Sequence, residues 1–237
     1  MPKLSILVPV YNEEKTIKNM LDHLSRVQLI GQTEKEILIV DDKSTDQTGQ
    51  RIQEYILEHP EADIRFFFHL RNEGKGSALH TAIQKASGDW IVIQDADLEY
   101  DPNEFNLMLL PLMEGRADVV YGSRFIGGKP HRLLFFWHTI GNKFLTFISN
   151  MVNNMNFTDM ETCYKMFRRE VLQGLKLREK RFGFEPEVTA KISKIKGLRI
   201  FEVGISYYGR TYEEGKKINW KDGMKAFYCI IKYRFFD

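Results

Sequence analysis

The sequence predicts an α/β fold built on a mostly parallel sheet flanked by helices, in a single domain spanning residues 1–237. Two observations carry this. Apolar runs of strand length alternate with helix-like stretches, as crossover-connected parallel strands require. Three of those runs also end in polar clusters: Leu4-Ser5-Ile6-Leu7-Val8 leads into Pro9-Val10-Tyr11-Asn12-Glu13, Glu36-Ile37-Leu38-Ile39-Val40 into Asp41-Asp42-Lys43-Ser44, and Trp90-Ile91-Val92-Ile93 into Asp95-Ala96-Asp97. The carboxyl ends of strands are where open α/β sheets bind ligands. Helix capping accounts for Asn12, Ser44 and Thr45 singly, and solvent for Asp41 and Asp42, but neither accounts for three clusters on one edge.

In chain order, the runs predict strands near 4–10, 36–41, 64–69, 89–95 and 118–123, with helices near 13–28, 45–57, 75–87 and 102–114 between them. A change of texture follows at the Gly-Gly-Lys-Pro loop, 127–130. The aromatic and apolar stretch 133–152 is too polar at His138, Asn142, Lys143 and Asn150 to cross a bilayer, but suits an amphipathic helix on a membrane surface or on the protein core. A strand at 162–168, a helix at 186–196, a strand at 198–207 and a helix at 220–234 complete the chain.

At 237 residues, 43% hydrophobic and 28% charged, the chain has material for one full core and no signature of disorder. A net charge of +2 does not argue for nucleic acid. Basic residues nevertheless crowd the second half, at Arg168-Arg169, Arg178-Glu179-Lys180-Arg181 and Lys216-Lys217, which fits an anionic partner or solvated faces. Cys163 and Cys229 show no metal or redox spacing and read as free thiols of a reducing compartment, each a small core residue. With neither a signal peptide nor a membrane span in the pattern, the expected location is cytoplasmic, peripheral on the inner face of a membrane.

The sharpest chemistry is at Asp95 and Asp97. Residues two apart in extended backbone project to one side, so the pair is expected to share a nucleotide and a hard divalent cation, with Glu99 able to join. The loop Arg71-Asn72-Glu73-Gly74-Lys75-Gly76 lacks the spacing of a Walker loop, and Lys75 reads as a phosphate contact or a solvated helix-entry residue. No Gly-x-Gly-x-x-Gly follows the first strand, where Pro9 stands instead, which disfavours a nicotinamide oxidoreductase.

On these motifs the chain resembles glycosyltransferase family 2 enzymes of GT-A, Rossmann-like fold, nearest to the polyprenyl-phosphate sugar synthases typified by dolichol-phosphate mannose synthase. The resemblance is strong through residue 125. It implies a nucleotide-sugar-binding half at 1–125 and an acceptor-binding half at 126–237. Pro9, Val10, Tyr11 and Glu13 match the opening motif and are implied to line the nucleobase pocket. Val40 and Asp42 belong to the second motif, where the aspartate meets base or ribose, and Lys75 is added to the donor contacts. In Asp95-Ala96-Asp97-Leu98 the resemblance implies Asp97 as ligand of Mg²⁺ or Mn²⁺ with Glu99, and Asp95 and Ala96 nearer the nucleotide. Glu99 departs from the glutamine common in the mannose synthases. Gly122-Ser123-Arg124-Phe125 matches a further segment, with Ser123, Arg124, His131 and Arg132 implied at the acceptor phosphate. Arg210, Lys216 and Lys217 fall where the family has a basic loop before its last helix, and are implied at the acceptor as well.

The implied reaction is inverting transfer of a hexose, mannose or glucose, from a GDP- or UDP-linked sugar to a polyprenyl phosphate, with a membrane-anchoring protein as a further partner and no nucleic acid. Asp97, Arg124, Arg132 and Asp159 form the expected catalytic set. An ionised phosphate acceptor needs no base, whereas a sugar hydroxyl needs a carboxylate, for which Asp159 and Glu161 are candidates, followed by Glu185 and Glu187. The competing readings are therefore a family 2 enzyme acting on a sugar hydroxyl and a non-catalytic nucleotide-sugar or lipid-binding protein.

Overall fold

A computed structural model describes residues 1–133, 135–211, 213 and 220–237, Trp220 by its backbone alone. Leu134, Lys216 and Lys217 fall outside the described residues, so the expectations placed on them have no structural counterpart. Seven strands form one sheet: β1 (Lys3–Val10), β2 (Glu34–Asp41), β3 (Ile64–Phe68), β4 (Trp90–Ile93), β5 (Val119–Ser123), β6 (Lys165–Arg168) and β7 (Ile200–Gly204). Their order is β3-β2-β1-β4-β6-β5-β7. Only β6 runs against its neighbours β4 and β5. The helices are α1 (Ile17–Arg26), α2 (Thr48–Glu58), α3 (Lys75–Lys85), α4 (Phe105–Met113), α5 (Phe136–Asn153), α6 (Arg169–Gln173), α7 (Phe184–Ile192) and α8 (Trp220–Phe235).

The central strands are apolar on both faces because helices cover both. On one side Leu4, Ile6 and Val8 of β1 meet Ile17, Met20 and Leu21 of α1 and Phe105 and Leu109 of α4. On the other, Leu7 packs with Leu38 and Val40 of β2 and Ala78 and Leu79 of α3. Each such side chain contributes roughly 1.5–3 kcal/mol by leaving water, which makes the sheet a rigid platform for its carboxyl edge. The registers Pro9↔Val40 and Val10↔Asp41 bring the first two polar clusters out of the sheet side by side.

Two expectations change. The strand expected at 89–95 ends at Ile93, so Asp95 and Asp97 stand in a turn rather than in extended backbone, with Leu98 at φ 63° closing it. The helix expected from residue 13 starts at Ile17, because Asn12 takes a left-handed φ of 53° and turns the chain first. Against one alternative reading of 133–152, α5 is oriented inside out. Its polar Thr146, Ser149 and Asn153 are buried, while Phe136, Trp137, Ile140, Phe144, Phe147 and Met151 are exposed. Hydrogen bonds fix this orientation: Thr146 Oγ1 accepts from the Met160 N–H at 3.2 Å, and Asn150 exchanges bonds with the backbone of Phe157 at 2.7 and 2.9 Å.

Candidate active site

The two leading strand-end loops are stitched together by short polar side chains. Asn12 N–H donates to Ser44 Oγ at 2.9 Å, Asn12 Oδ1 accepts from Thr45 N–H at 2.8 Å, and Asp41 holds Ser44 through its N–H and hydroxyl at 2.8 and 2.6 Å. These short side chains bind the two loops to each other beside the cavity-lining Tyr11, Glu13 and Asp42. Asp42 is buried and turned to the next loop, accepting from Glu73 N–H at 2.9 Å and Gly74 N–H at 2.6 Å, with the His69 ring at 2.8 Å. Glycine is required at that loop: Gly74 has φ 100°, and a Cβ there would lie 2.5 Å from the Lys180 carbonyl.

One cavity of about 1630 Å³ opens on this edge. Pro9, Val10, Tyr11, Glu13 and Asp42 line it at one end, and Lys75, Asp95, Ala96, Asp97 and Glu99 line it further along. Val40 does not reach it. Its side chain is fully buried among Ala78 and Leu79 and takes no part in the cavity wall, contrary to its expected nucleotide contact.

Lys75 is neither solvated nor free: its Nζ meets Asp95 at 2.9 Å, Cys163 Sγ at 3.0 Å and Glu185 at 3.3 Å. Burial opposes its charge, but Asp95, Cys163 and Glu185 outweigh that and raise its pKa well above the ordinary lysine value. Asp97 and Glu99 converge on Arg210, whose guanidinium lies 2.9 Å from Asp97 Oδ2 and 3.2 Å from Glu99 Oε1. Arg210, expected at the acceptor, therefore sits against the expected metal carboxylates. Glu99 is further tied by the Tyr207 hydroxyl at 2.9 Å.

Burial, together with Asp95 and Glu99, pushes the Asp97 carboxyl up to about 7. Such crowded negative charge is what a hard divalent cation relieves. Among the described residues no group of three His, Cys, Asp or Glu side chains forms a closed metal centre. Two carboxylates do suit Mg²⁺ or Mn²⁺, which commonly complete their oxygen shell with substrate phosphates and water.

Beyond these carboxylates, Arg124 is 12% exposed and locked to the fully buried Asp159, with Nε at 2.7 Å, Nη2 at 2.8 Å and its own N–H at 3.0 Å from carboxylate oxygens. Its guanidinium also lies 5.2 Å from the centre of the Tyr207 ring. Ser123 is buried, and its hydroxyl accepts from Phe125 and Ile126 N–H groups at 3.1 and 3.2 Å, so it shapes the turn and does not line the cavity, contrary to its expected acceptor contact. His131 and Arg132 are exposed on the cavity wall, and Arg132 Nη1 donates to the Gly209 carbonyl at 3.1 Å. From there the cavity runs along α5 past Phe136, Trp137 and Phe144, and reaches Met224 and Phe227 of α8.

Of the remaining carboxylates, Glu187 is structural: it accepts from Arg178 and Glu179 N–H groups and pairs with Lys191 at 2.9 Å. Much of the second half's positive charge is also answered internally, as in Arg168 with Asp118, Arg178 with Asp237 and Lys180 with Glu73. Sequence reasoning missed Tyr207 and placed Cys163 in the core, whereas it lines the cavity. Tyr207 carries no local motif and reaches the site only because β7 runs beside β5.

A sequence profile for the family described as "Glycosyl transferase family 2" matches residues 5–175. Among similar curated proteins is the dolichol-phosphate mannosyltransferase of Pyrococcus furiosus, 27% identical over 98% of this chain and 64% of its own length. Another is the UDP-N-acetylglucosamine–dolichyl-phosphate N-acetylglucosaminyltransferase of Methanococcus voltae, 28% identical over 95% of this chain and 94% of its own. The chain thus spans somewhat less than two thirds of the first relative and nearly all of the second. In three dimensions it resembles glucosyl-3-phosphoglycerate synthase from Mycobacterium tuberculosis, solved with Mn²⁺, UDP and phosphoglyceric acid, at a TM-score of 0.74 and 18% identity over 100% of this chain and 80% of that one. The fold is the GT-A arrangement, and with the profile covering most of its length the chain belongs to glycosyl transferase family 2.

Proposed function

We propose that this chain transfers one hexose, with inversion, from a GDP- or UDP-linked sugar to a polyprenyl phosphate at the cytoplasmic face of a membrane. The observation that carries the reading is the single cavity that joins a polar, carboxylate-rich end to the outward apolar face of α5. A donor diphosphate and a lipid tail are opposite chemistries, and such a space suits both. The names of the curated relatives support the same acceptor class, while differing in sugar.

In this reading Pro9, Val10, Tyr11 and Glu13 hold the nucleobase end, with Asp42 ordering the loop that frames it and Asp95 and Ala96 beside the nucleotide. Asp97 and Glu99 are the residues that would hold Mg²⁺ or Mn²⁺, which would supply charge neutralisation for the departing diphosphate. Arg210, paired with both carboxylates, keeps a positive charge beside the end of the cavity where the diphosphate would lie. Arg124, fixed by Asp159 and flanked by His131 and Arg132, orients the acceptor anion; guanidinium geometry suits bidentate phosphate contact. A phosphate oxygen is already ionised near neutral pH, so the attack needs no base. Transfer to a sugar hydroxyl is disfavoured at Asp159, whose oxygens are occupied by Arg124.

Among the described residues no helix is long and apolar enough to cross a membrane. Surface binding rests instead on α5 and on exposed Met224, Tyr228, Phe235 and Phe236 of the closing segment. The test combines liposome flotation with transfer from a panel of GDP and UDP sugars. Phe136 and Trp137 are 67% and 78% exposed, and losing their insertion in Phe136→Asp/Trp137→Asp costs about 3 kcal/mol or more, on the order of 100-fold in partitioning. If the wild type never floats and soluble sugars are glycosylated as well as lipid phosphate, the reading fails.

A further inference from the structure

Past Lys75 and Asp95 the cavity is lined by Glu161, Cys163 and Glu185. Glu161 and Cys163 precede β6, which runs antiparallel to β4 and so brings its entry beside the residues that leave β4. Glu161 Oε1 is buried and has no hydrogen-bond partner. Buried polar atoms are nearly always satisfied, so an orphan carboxyl oxygen on a cavity wall marks a place where a ligand donates.

The charges around it point the same way. Lys75 neutralises Asp95 and reaches Glu185, while Arg124 is committed to Asp159. Lys165 shares this charged neighbourhood, with its Nζ donating to the Thr162 carbonyl and lying 4.8 Å from the Tyr121 ring centre. Four acids, Asp95, Asp159, Glu161 and Glu185, thus face three cations, Lys75, Lys165 and Arg124. Glu161 is the acid without an ion pair among the described residues. Burial and the neighbouring Glu185 push its carboxyl up to about 7.

We propose that Glu161, seconded by Glu185, is the sugar-recognition group of the donor site: its unpartnered carboxyl oxygen accepts a hexose hydroxyl, and the pair of acids excludes sugars that carry a carboxylate. The donor is then a nucleotide-linked neutral hexose and not a hexuronate. This inference rests on the donor reading above and adds a sugar class to it. Glu185 reaches the nucleotide side through Lys75, whereas Glu161 forms no ion pair with the expected nucleotide or metal groups among the described residues, so the sugar pocket is tested at Glu161.

The experiment is calorimetric titration at pH 8 with Mn²⁺, comparing UDP-glucose with UDP-glucuronate and GDP-mannose with GDP-mannuronate, with UDP and GDP alone as references. Each pair shares its nucleotide and diphosphate and differs at C6. For the base that binds, the wild type is expected to hold the uronate at least about ten-fold more weakly. Glu161→Gln, whose amide offers an N–H to a carboxylate, is expected to shrink that ratio to roughly three-fold or less with the free nucleotide unaffected. Equal affinities within a pair in the wild type overturn the proposal without recourse to any variant, as does a Gln variant that discriminates as the wild type does. Binding of UDP or GDP with no sugar discrimination overturns the sugar pocket alone; binding of neither nucleotide overturns the donor reading and this inference with it.

Discussion

Replacing Asp159 with asparagine separates a positioning carboxylate from a catalytic base. The carboxylate is fully buried and receives three donors from Arg124, at 2.7, 2.8 and 3.0 Å. The amide removes the countercharge of a nearly buried guanidinium and offers an N–H where an acceptor is needed. Breaking a buried pair from one side costs about 3–5 kcal/mol. In a chain of this length each kcal/mol is worth roughly 2–4 °C, so the melting temperature should fall by about 10 °C. Arg124→Gln should lose a comparable amount, and the double variant should be no worse than the poorer single one, leaving a coupling of about 2 kcal/mol or more. Thermal unfolding of the four proteins measures this, and transfer to a short-chain polyprenyl phosphate provides the parallel readout. If Asp159→Asn melts like the wild type yet loses transfer selectively, the carboxylate serves as a base and the positioning argument is refuted.

Two further outcomes follow from the same groups. Asp97→Asn should leave the metal-free melting temperature unchanged or higher, because a crowded negative charge is gone, and should abolish the Mn²⁺-dependent stabilisation by nucleotide; a retained metal effect in differential scanning fluorimetry would remove Asp97 from the ligand set. Glu36 controls acid stability: burial alone would raise its pKa, but hydrogen bonds from Ser5 and Ser87 and the charge of Arg65 hold it at about 2. A pKa depressed from 4.5 to about 2 contributes about 3 kcal/mol that is complete above pH 4.5 and vanishes as pH falls toward 2. The stability gap between the wild type and Glu36→Gln, measured by urea unfolding, should therefore close across that interval; a gap independent of pH contradicts the assignment.

All seven strands were legible because apolar runs of strand length need no tertiary information to be seen. The convergence of three strand ends was legible for the same reason, since parallel crossovers force it. Pairing direction was not: the Lys165–Arg168 run has no feature that distinguishes an antiparallel insertion from another parallel strand. Val40 and Ser123 belong to motifs whose neighbours line the cavity, but the packing of Val40 under α3 and the turn bonds of Ser123, which keep both off its wall, are tertiary features that no motif carries. Arg210 was read through the basic character of its loop, but the carboxylates it meets lie 111 and 113 residues away. The orientation of α5 was open for a different reason: its apolar and polar faces are both evident in the sequence, and only the bonds of Thr146 and Asn150 decide which one is buried.

The antiparallel strand has a consequence for modularity. β6 belongs by sequence to residues 126–237, yet it lies between β4 and β5 and is paired to both. A fragment ending at residue 125 would leave β4 with a bare edge and β5 with no partner, so residues 1–125 are not a unit that can be excised. The same wiring constrains chimeras. Grafting another protein's acceptor half onto residues 1–125 imports a central strand, and with it the residues at positions 161 and 163 that stand next to the Asp95 turn. The two sequence halves therefore share one cavity wall, and a swap intended to change one end of that cavity rewrites the wall beside the Asp95 turn as well.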